Sequence, residues 1–300
     1  MNKKELFYTQ RNFCGIPPEY STFANSPVVV LPVPYDGTTE WQIGARKGPQ
    51  AIIDASQNLE LYDFELGVEI HKVGICTLPE VEPVMAGPEP MIARVKEIAT
   101  ELVDKGKFIV TLGGEHSLTL GVIQAMAKKY PRLTVLQLDA HGDLNDQYLG
   151  TRFSYASAMR RVSELCPVVP IGIRNLSLEE HQYLKRKKIE PFYARGLAID
   201  EVFWKKLLSS LPAEVYITID LDVFDPAIMP AVTAPEPGGL NWLQVLAILE
   251  RVIGEKRVVG FDLMELCPQE GSANSAYLAA ALAYKLIGYV STSPKSALTK

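Results

Sequence analysis

The sequence predicts an α/β protein built on a mostly parallel sheet, and two observations lead to this fold class. Six short runs are dense in Val and Ile without polar alternation, which is typical of strands buried on both faces. Stretches with apolar residues at helical spacing separate these runs, and such alternation favours helices on both faces of one sheet. The candidate strands are residues 27–31, 108–112, 134–138, 168–173, 215–219 and 257–261.

Helical segments between these strands have signals of their own. One has apolar side chains three or four residues apart, and Pro90 suits its first turn. Another is expected around residues 242–249, with Asn241 at its N-cap. A late apolar stretch, residues 278–290, is interrupted by Lys285 and is too short to span a bilayer, so we expect a packed helix there. The apolar positions of the first helix are Met91, Val95, Ile98 and Leu102.

The domain organisation is expected to be simple. The 300 residues suffice for one large domain or two small ones. The chain has no internal repeat, no low-complexity linker and no sharp change of composition, which favours one domain. We therefore expect an N-terminal arm over residues 1–26, a domain over 27–290 and a C-terminal tail over 291–300.

The composition of the chain limits which binding partners and which cellular compartment we expect. The formal net charge of −5 argues against nucleic acid, since phosphate binding needs a concentrated basic surface, and is compatible with a cationic substrate. The four cysteines form no CxxC pair, which disfavours a cysteine-rich zinc site. The first residues include no apolar run, so we expect no secretory signal, a cytoplasmic location and no membrane partner.

Clusters of acidic and histidine residues follow three of the predicted strands. In open parallel sheets, ligands bind beyond the carboxyl ends of the strands, where segments far apart in sequence converge. Gly113 and Gly114 are expected to permit the tight turn that aims His116 at this edge. The three clusters are GGEHS at residues 113–117, DAHGD at 139–143 and DLDVFDP at 220–226.

The spacing within the clusters suits metal binding. Residues i and i+2 of an extended segment point to the same side, so Asp139 with His141, and Asp220 with Asp222, can each present two ligands. Asp143 can reach the same place if the chain stays extended. With His116 this makes two imidazoles and four carboxylates, which is too much negative charge for a buried site without cations.

Two dications bridged by shared aspartates would use all six groups, whereas one would leave surplus carboxylates. Mixed histidine and carboxylate ligands suit manganese better than a metal that prefers thiolates. A lone aspartate at a strand end is usually a cap or turn residue. Three such clusters in matching positions are instead typical of a metal site.

The three clusters resemble the metal motifs of the ureohydrolases, the family of arginases, agmatinases and guanidinobutyrases. The resemblance covers most of the chain and is strongest to the agmatinase-like branch. It implies a three-layer α/β/α single domain with a mostly parallel sheet, an architecture shared with deacetylases, and a homo-oligomer, often a trimer or hexamer. Further matching segments are PYDGTT at residues 34–39, GARKGP at 44–49, APEPGGL at 234–240 and FDLMEL at 261–266.

The resemblance also implies a cofactor of two Mn²⁺ and a mechanism. A metal-bridging hydroxide would attack the guanidinium carbon, with urea and an amine as products. Glu265 would orient the guanidinium, and Asp143 would relay a proton to the leaving amine. One manganese would be held by His116, Asp139, Asp143 and Asp220, and the other by His141, Asp139, Asp220 and Asp222.

Tyr155 is the main departure from the family pattern, because the family usually has a histidine at this position. A phenol titrates near pH ~10, so Tyr155 is a poor proton shuttle at neutral pH, although it can still donate a hydrogen bond. We count it among the catalytic candidates. The alternative is a protein with an altered substrate or with lost turnover.

Substrate identity stays open at this point. The loop at residues 225–233 also differs from the family's usual loop, and Asn145 could read an α-amino acid head or simply form a turn. The flanking segments favour agmatine or an aminopropyl-extended agmatine, and guanidino acids are not excluded. A single-zinc hydrolase of another C–N bond and a non-catalytic metal-binding protein are the competing classes.

Overall fold

A computed structural model describes residues 11–268 and 273–298 of the protein, and its centre is an eight-stranded sheet. All neighbouring strands in this sheet run parallel, in the order β4-β1-β5-β10-β9-β6-β7-β8. A separate short hairpin pairs β2 with β3. The strands are β1 Val28–Val33, β2 Tyr62–Asp63, β3 Val68–Glu69, β4 Ile75–Thr77, β5 Phe108–Gly113, β6 Leu133–Leu138, β7 Val168–Ile173, β8 Phe192–Tyr193, β9 Glu214–Asp220 and β10 Arg257–Met264.

Helices cover both faces of the sheet. Successive residues of β1 point to opposite sides: Val28 and Val30 pack in one apolar core with α2, α7, α8 and α9. Val29 and Leu31 pack in the other with α3, α4, α5 and α6. The α/β fold with a mostly parallel sheet is thus confirmed. The helices are α1 Pro18–Ser21, α2 Gly48–Ser56, α3 Pro88–Asp104, α4 Thr119–Lys129, α5 Ala158–Val162, α6 Leu178–Lys187, α7 Glu201–Ser210, α8 Trp242–Glu255 and α9 Ala273–Thr292.

The six strands expected from the sequence are all present, and the short strands were missed. The expected ranges differ from β1, β5, β6, β7, β9 and β10 by at most three residues at either end. Strands β4 and β8, at the two edges of the sheet, have three and two residues. Strands this short leave too few residues for a periodic pattern, so the sequence carries no signal for them.

The expected helix signals correspond to real caps and packing. Helix α3 starts at Pro88, with Pro90 in its first turn, and Asn241 caps α8 through a reciprocal capping box with Gln244. The late apolar stretch lies in α9, a packed helix whose Lys285 pairs with acidic residues of the hairpin segment. Among the described residues, no helix is long and apolar enough to cross a membrane.

Much of the expected N-terminal arm packs onto the sheet domain. Within residues 11–26, Phe13 and Ile16 are buried in the same core as α2 and α9. At the other end, α9 continues to Thr292. Residues 1–10 of the expected arm and 299–300 of the expected tail lie outside the described residues, and the boundaries at 26/27 and 290/291 stay predictions.

Strand order explains why the chemical clusters converge. Strands β5, β10, β9 and β6 are consecutive neighbours at the centre of the sheet. Each ends at the same edge and leads directly into a cluster with ionisable side chains, as expected for a parallel sheet. These clusters include His116 after β5, Glu265 after β10, Asp220 at the end of β9 and Asp139 after β6.

Candidate active site

Close packing, rather than a special backbone conformation, explains the two glycines before His116. Neither Gly113 nor Gly114 has a positive φ. A Cβ at Gly114 would lie 1.9 Å from the carbonyl oxygen of Tyr35, and one at Gly113 would lie 1.9 Å from the sulfur of Met264. The glycines therefore let neighbouring segments approach the turn that carries His116, and the expected conformational reason for them was wrong.

The first group of candidate ligands surrounds the ring of His116. Its Nδ1 lies 3.0 Å from an Asp143 carboxylate oxygen, 3.2 Å from one of Asp139 and 3.5 Å from one of Asp220. His116 is fully buried, and the three carboxylates are buried as well. Four candidate ligands from three segments of the chain therefore meet at one point.

The second group is formed around His141. Its Nδ1 lies 2.8 Å from Oδ2 of Asp222 and 3.8 Å from Oδ1 of Asp139. Asp139 thus presents Oδ1 towards His141 and Oδ2 towards His116. Two overlapping groups able to hold a cation result, His116 with Asp139 and Asp220, and Asp139 with His141 and Asp222.

Two buried polar atoms without a hydrogen-bond partner indicate whether these residues suit a metal ion. Nδ1 of His116 and Oδ2 of Asp143 are buried and make no hydrogen bond within the described structure, although they are 3.0 Å apart. Buried polar groups normally have a hydrogen-bond partner, so two that lack one and face the same point need another explanation. A bound cation would take a lone pair from each, and the site fits a metal on this ground.

The electrostatics show how strained the site is without cations. Burial, together with the negative charge of Asp139, raises the pKa of Asp143 to about 7. Burial also raises the pKa of Asp220 well above its ordinary value, and Asp222 and Asp139 add to this effect. Burial of the His141 ring opposes protonation, yet the charge of Asp222 raises its pKa to about 11. These shifts all favour the protonated form, which shows that the negative charge gathered here requires positive charge to balance it.

Two functional candidates adopt left-handed backbone conformations. Asp143 has φ 53° and Glu265 has φ 67°, whereas such values are uncommon for residues other than glycine. Asp143 thus reaches His116 through a turn and not by continuing as an extended chain, which corrects the conformation expected from the sequence. Strained backbone of this kind concentrates at functional sites, where the surrounding structure holds it.

A chain of hydrogen bonds fixes His116 from behind. Its Nε2 lies 2.8 Å from Oγ1 of Thr218, and Thr218 in turn donates to Asp262 at 2.6 Å. Asp262 is buried and also accepts hydrogen bonds from Thr119 and Tyr216. Because Thr218 donates to Asp262, its oxygen accepts from the Nε2–H of His116, which leaves Nδ1 free as a lone-pair donor.

Two further residues, which were not predicted from the sequence, donate hydrogen bonds to Asp139 and Asp222. Gln137 donates to Oδ2 of Asp139 at 2.9 Å, and Arg174 donates to the backbone carbonyl of Asp222 at 2.6 Å. A usable signal existed for two of the missed residues. Gln137 and Thr218 each stand two positions before a candidate ligand on a strand, and thus on the same side of it.

Glu265 lies beside the candidate ligands in a cavity of about 320 Å³. Its two oxygens accept hydrogen bonds from the His116 backbone N–H and the Thr233 hydroxyl, both at 2.6 Å. Burial raises the pKa of Glu265 to about 8, and the charge of Glu115 adds to this. The cavity is lined by His141, Asp143, Asn145, Tyr148, Tyr155, Ala156, Asn175, Leu176, Ser177, Glu180, Asp220, Asp222, Thr233, Ala234 and Glu265.

Tyr155 lines this cavity, but its hydroxyl is turned towards Glu40. The Tyr155 hydroxyl lies 3.1 Å from both carboxylate oxygens of Glu40, and the Tyr148 hydroxyl donates to the same carboxylate at 2.5 Å. Burial and the charge of Glu40 raise the pKa of Tyr155 above its ordinary value. The phenol therefore stays protonated at neutral pH and acts as a donor.

A second, larger hollow of about 630 Å³ lies away from this chemistry. It is bordered by Cys166, Lys187 and Lys206, at the opposite ends of the strands. No candidate metal group of the described residues lies there. We therefore assign the active site to the smaller cavity, in which the ionisable groups converge.

Comparison with known proteins identifies the family of this chain. A family model described as the Arginase family matches residues 26–288. The chain belongs to the arginase family. Members of this ureohydrolase family are metal-dependent amidinohydrolases, so the protein is an enzyme of that class.

Similar proteins cover nearly the whole chain. It is 41% identical to the N(1)-aminopropylagmatine ureohydrolase of Synechocystis over 93% of this chain and 94% of that protein. It is 34% identical to the agmatinase of Pyrococcus horikoshii over 94% of this chain and 98% of that protein. The crystal structure of the agmatine ureohydrolase of Thermoplasma volcanium matches with a TM-score of 0.86 and 28% identity, over 96% of this chain and 97% of that chain.

Proposed function

We propose that this ureohydrolase is manganese-dependent and releases urea from agmatine or N(1)-aminopropylagmatine. The observation that carries the proposal is the meeting of two imidazoles and four carboxylates at the cavity that Glu265 lines. The similarity to an N(1)-aminopropylagmatine ureohydrolase and to an agmatinase supports the choice of substrate. The amine product would be a polyamine, which fits a role in polyamine synthesis.

The cofactor would be two Mn²⁺ ions held by six side chains. Asp139 and Asp220 would be shared, because Asp139 faces both histidines, and Asp220 lies 3.5 Å from His116 and two residues before Asp222 in the chain. Two such ions supply a water of lowered pKa and polarise the guanidino group. The ligands would be His116, Asp139, Asp143 and Asp220 for one ion and His141, Asp139, Asp220 and Asp222 for the other.

Glu265 would bind and orient the guanidinium. Its two oxygens are held by His116 N–H and Thr233, and each oxygen keeps a second lone pair for the substrate. Burial raises the pKa of Glu265, and a bound guanidinium favours its ionised form. Charge-assisted hydrogen bonds from a planar guanidinium to a fixed carboxylate orient the central carbon.

Asp143 would carry the proton to the leaving amine. Its Oδ2 is buried, lacks a hydrogen-bond partner in the described structure and lies 3.0 Å from Nδ1 of His116, so this carboxylate is not engaged by other side-chain donors. Asp143 also lines the cavity, within reach of a bound substrate. Tyr155 would take part as a hydrogen-bond donor rather than as a shuttle, because its raised pKa keeps the proton on the phenol.

Urea release is the direct test of this function. Manganese-loaded protein should release urea from agmatine or N(1)-aminopropylagmatine faster than from arginine or 4-guanidinobutyrate. Glu265→Gln should lower kcat/KM by about 100-fold or more, because a buried partner of a charged substrate is lost. Glu97→Gln, an exposed change on α3, is the matched control and should leave the rate unchanged.

Two results would contradict the proposal. Fully metallated protein that releases urea from none of these compounds would exclude it. Urea release by Tyr155→His alone would instead support the alternative of lost turnover, which the similarity to named ureohydrolases does not favour. The expected trimer or hexamer and the cytoplasmic location stay predictions, and light scattering would test the former.

A further inference from the structure

We propose that Glu40, Tyr148 and Tyr155 form a subsite that binds an ammonium group on the substrate's tail. This inference rests on the proposed function and adds a selectivity to it. The subsite would favour guanidino amines and reject guanidino acids. We call these three residues the tail subsite.

The tail subsite borders the same cavity as the candidate ligands. Tyr148 and Tyr155 line the cavity together with His141, Asp143 and Glu265. Both rings are half-buried and meet edge to face, with centroids 5.7 Å apart. A substrate with its guanidino group at Glu265 therefore has these two rings along the wall of its own cavity.

Glu40 gives the tail subsite its charge. The carboxylate accepts hydrogen bonds from both tyrosine hydroxyls. In the described part of the chain, no lysine, arginine or histidine forms an ion pair with it. Arg46, on the same loop, pairs with Asp36 instead. The exposed carboxylate at the hydroxyl ends of the two tyrosines is thus left with its negative charge uncompensated by a cation in the described structure.

The loop that carries Glu40 is held at its base. Buried Asp36 accepts hydrogen bonds from the backbone N–H groups of Gly44 and Arg46, at 3.0 and 3.2 Å. These contacts close the loop on both sides of Glu40. A recognition group on a closed loop is partly preorganised, which lowers the entropy lost on binding.

A second set of contacts joins the loop to the segment that carries Glu115 and His116. Thr38 donates through its N–H and its hydroxyl to the buried carboxylate of Glu115, at 2.7 and 2.8 Å. The Thr38 oxygen also accepts from the Tyr155 N–H at 3.1 Å. Because Glu115 directly precedes His116, these contacts fix the position of Glu40 and Tyr155 relative to the metal site.

These features together select for a cation. Tyrosine faces attract ammonium groups, and a carboxylate accepts their hydrogen bonds. An anionic tail would be repelled by the negative charge of Glu40. The two phenols of the tail subsite could not compensate for this, because they already donate to Glu40. The side chain at position 155 suits this role, because the Tyr155 hydroxyl donates to Glu40 and so orients its carboxylate.

Kinetics with matched tails test the tail subsite. Manganese-loaded wild type, Glu40→Gln and the control Glu97→Gln are compared on agmatine, on n-butylguanidine, which lacks the ammonium, and on 4-guanidinobutyrate. In Glu40→Gln the ratio of kcat/KM for agmatine over n-butylguanidine should fall about tenfold, mainly through KM, since one charge-assisted contact is lost. The ratio for 4-guanidinobutyrate over n-butylguanidine should rise, and Glu97→Gln should change neither. Unchanged ratios in Glu40→Gln would overturn the inference.

Calorimetry separates this inference from the proposed function. The triamine N-(3-aminopropyl)-1,4-diaminobutane is titrated into metal-loaded wild type and Glu40→Gln, with urea, which carries no ammonium group, as the reference. Weaker triamine binding by Glu40→Gln, with urea binding unaffected, would support the subsite even if no urea were released in the assays. Equal triamine binding by the two proteins would overturn the subsite even if the wild type were a good ureohydrolase.

Discussion

At the scale of single residues, the contact between Thr218 and His116 determines which ring nitrogen is free. Thr218→Val keeps the shape of the side chain but removes the acceptor of the Nε2–H and one donor to Asp262. We expect manganese affinity to fall about 10- to 100-fold, because outer hydrogen bonds orient metal-binding histidines. Metal titration followed by calorimetry measures the change.

Thr134→Val is the matched control for this change. Thr134 is also buried in a central strand, and its hydroxyl makes no hydrogen bond in the described structure. Its removal should leave manganese affinity unchanged. Equal affinities of the Thr218 variant and the wild type would contradict the positioning role of Thr218.

Individual residues also show what a sequence can and cannot predict. Five of the candidate ligands could be predicted from their position at a strand end and from their alternation, which are local properties of the sequence. These are His116, Asp139, His141, Asp220 and Asp222. Their partners behind the site depend on tertiary contacts: Asp262 and Thr218 meet because β10 and β9 are neighbours, and strand order is not written in a local pattern. Glu40 was missed for the same reason, since its partners lie more than one hundred residues away in the chain.

At the scale of elements, the capping of α8 is a clear case of local sequence acting on stability. The Asn241 side chain accepts from the Gln244 N–H at 2.9 Å, and Gln244 accepts from the Asn241 N–H at 2.9 Å. Asn241→Ala should lower the free energy of unfolding by about 1 kcal/mol, as for other N-caps. Urea-induced unfolding measures this value.

The exposed change Glu97→Gln on α3 is the control for Asn241→Ala. Its free energy of unfolding should stay within about 0.5 kcal/mol of the wild-type value. A loss of stability in Asn241→Ala no larger than in this control would contradict the capping role. The central strands could be predicted from their runs of Val and Ile, and these helices from their caps and from apolar residues at helical spacing. The two edge strands could not, because three and two residues form no pattern.

At the scale of the whole molecule, the buried site couples stability to pH when metal is removed. Burial is the leading reason for the raised pKa values of Asp143, about 7, and Glu265, about 8. The pKa of His141 is also raised, to about 11, despite its burial. Each group therefore holds its proton more tightly in the folded than in the unfolded chain, so the folded state binds more protons between pH 6 and 8.

It follows that the metal-free protein should lose stability as pH rises from 6 to 8. The carboxylates with lowered pKa values, such as Asp63 and Asp222, titrate below this window and do not offset the effect. Manganese replaces the protons, so the rise in Tm on adding it should be larger at pH 8 than at pH 6. Calorimetric scans at both pH values measure this, and a metal-free Tm that is constant or rises with pH would contradict it.

The number of manganese ions bound per chain tests the central claim most directly. The claim is that three central strands, β5, β6 and β9, bring two histidines and four aspartates together to hold two dications. Mass spectrometry of protein saturated with manganese and freed of excess metal should give about two ions per chain, and His116→Ala should reduce that number. One ion or none in the wild type would contradict the account.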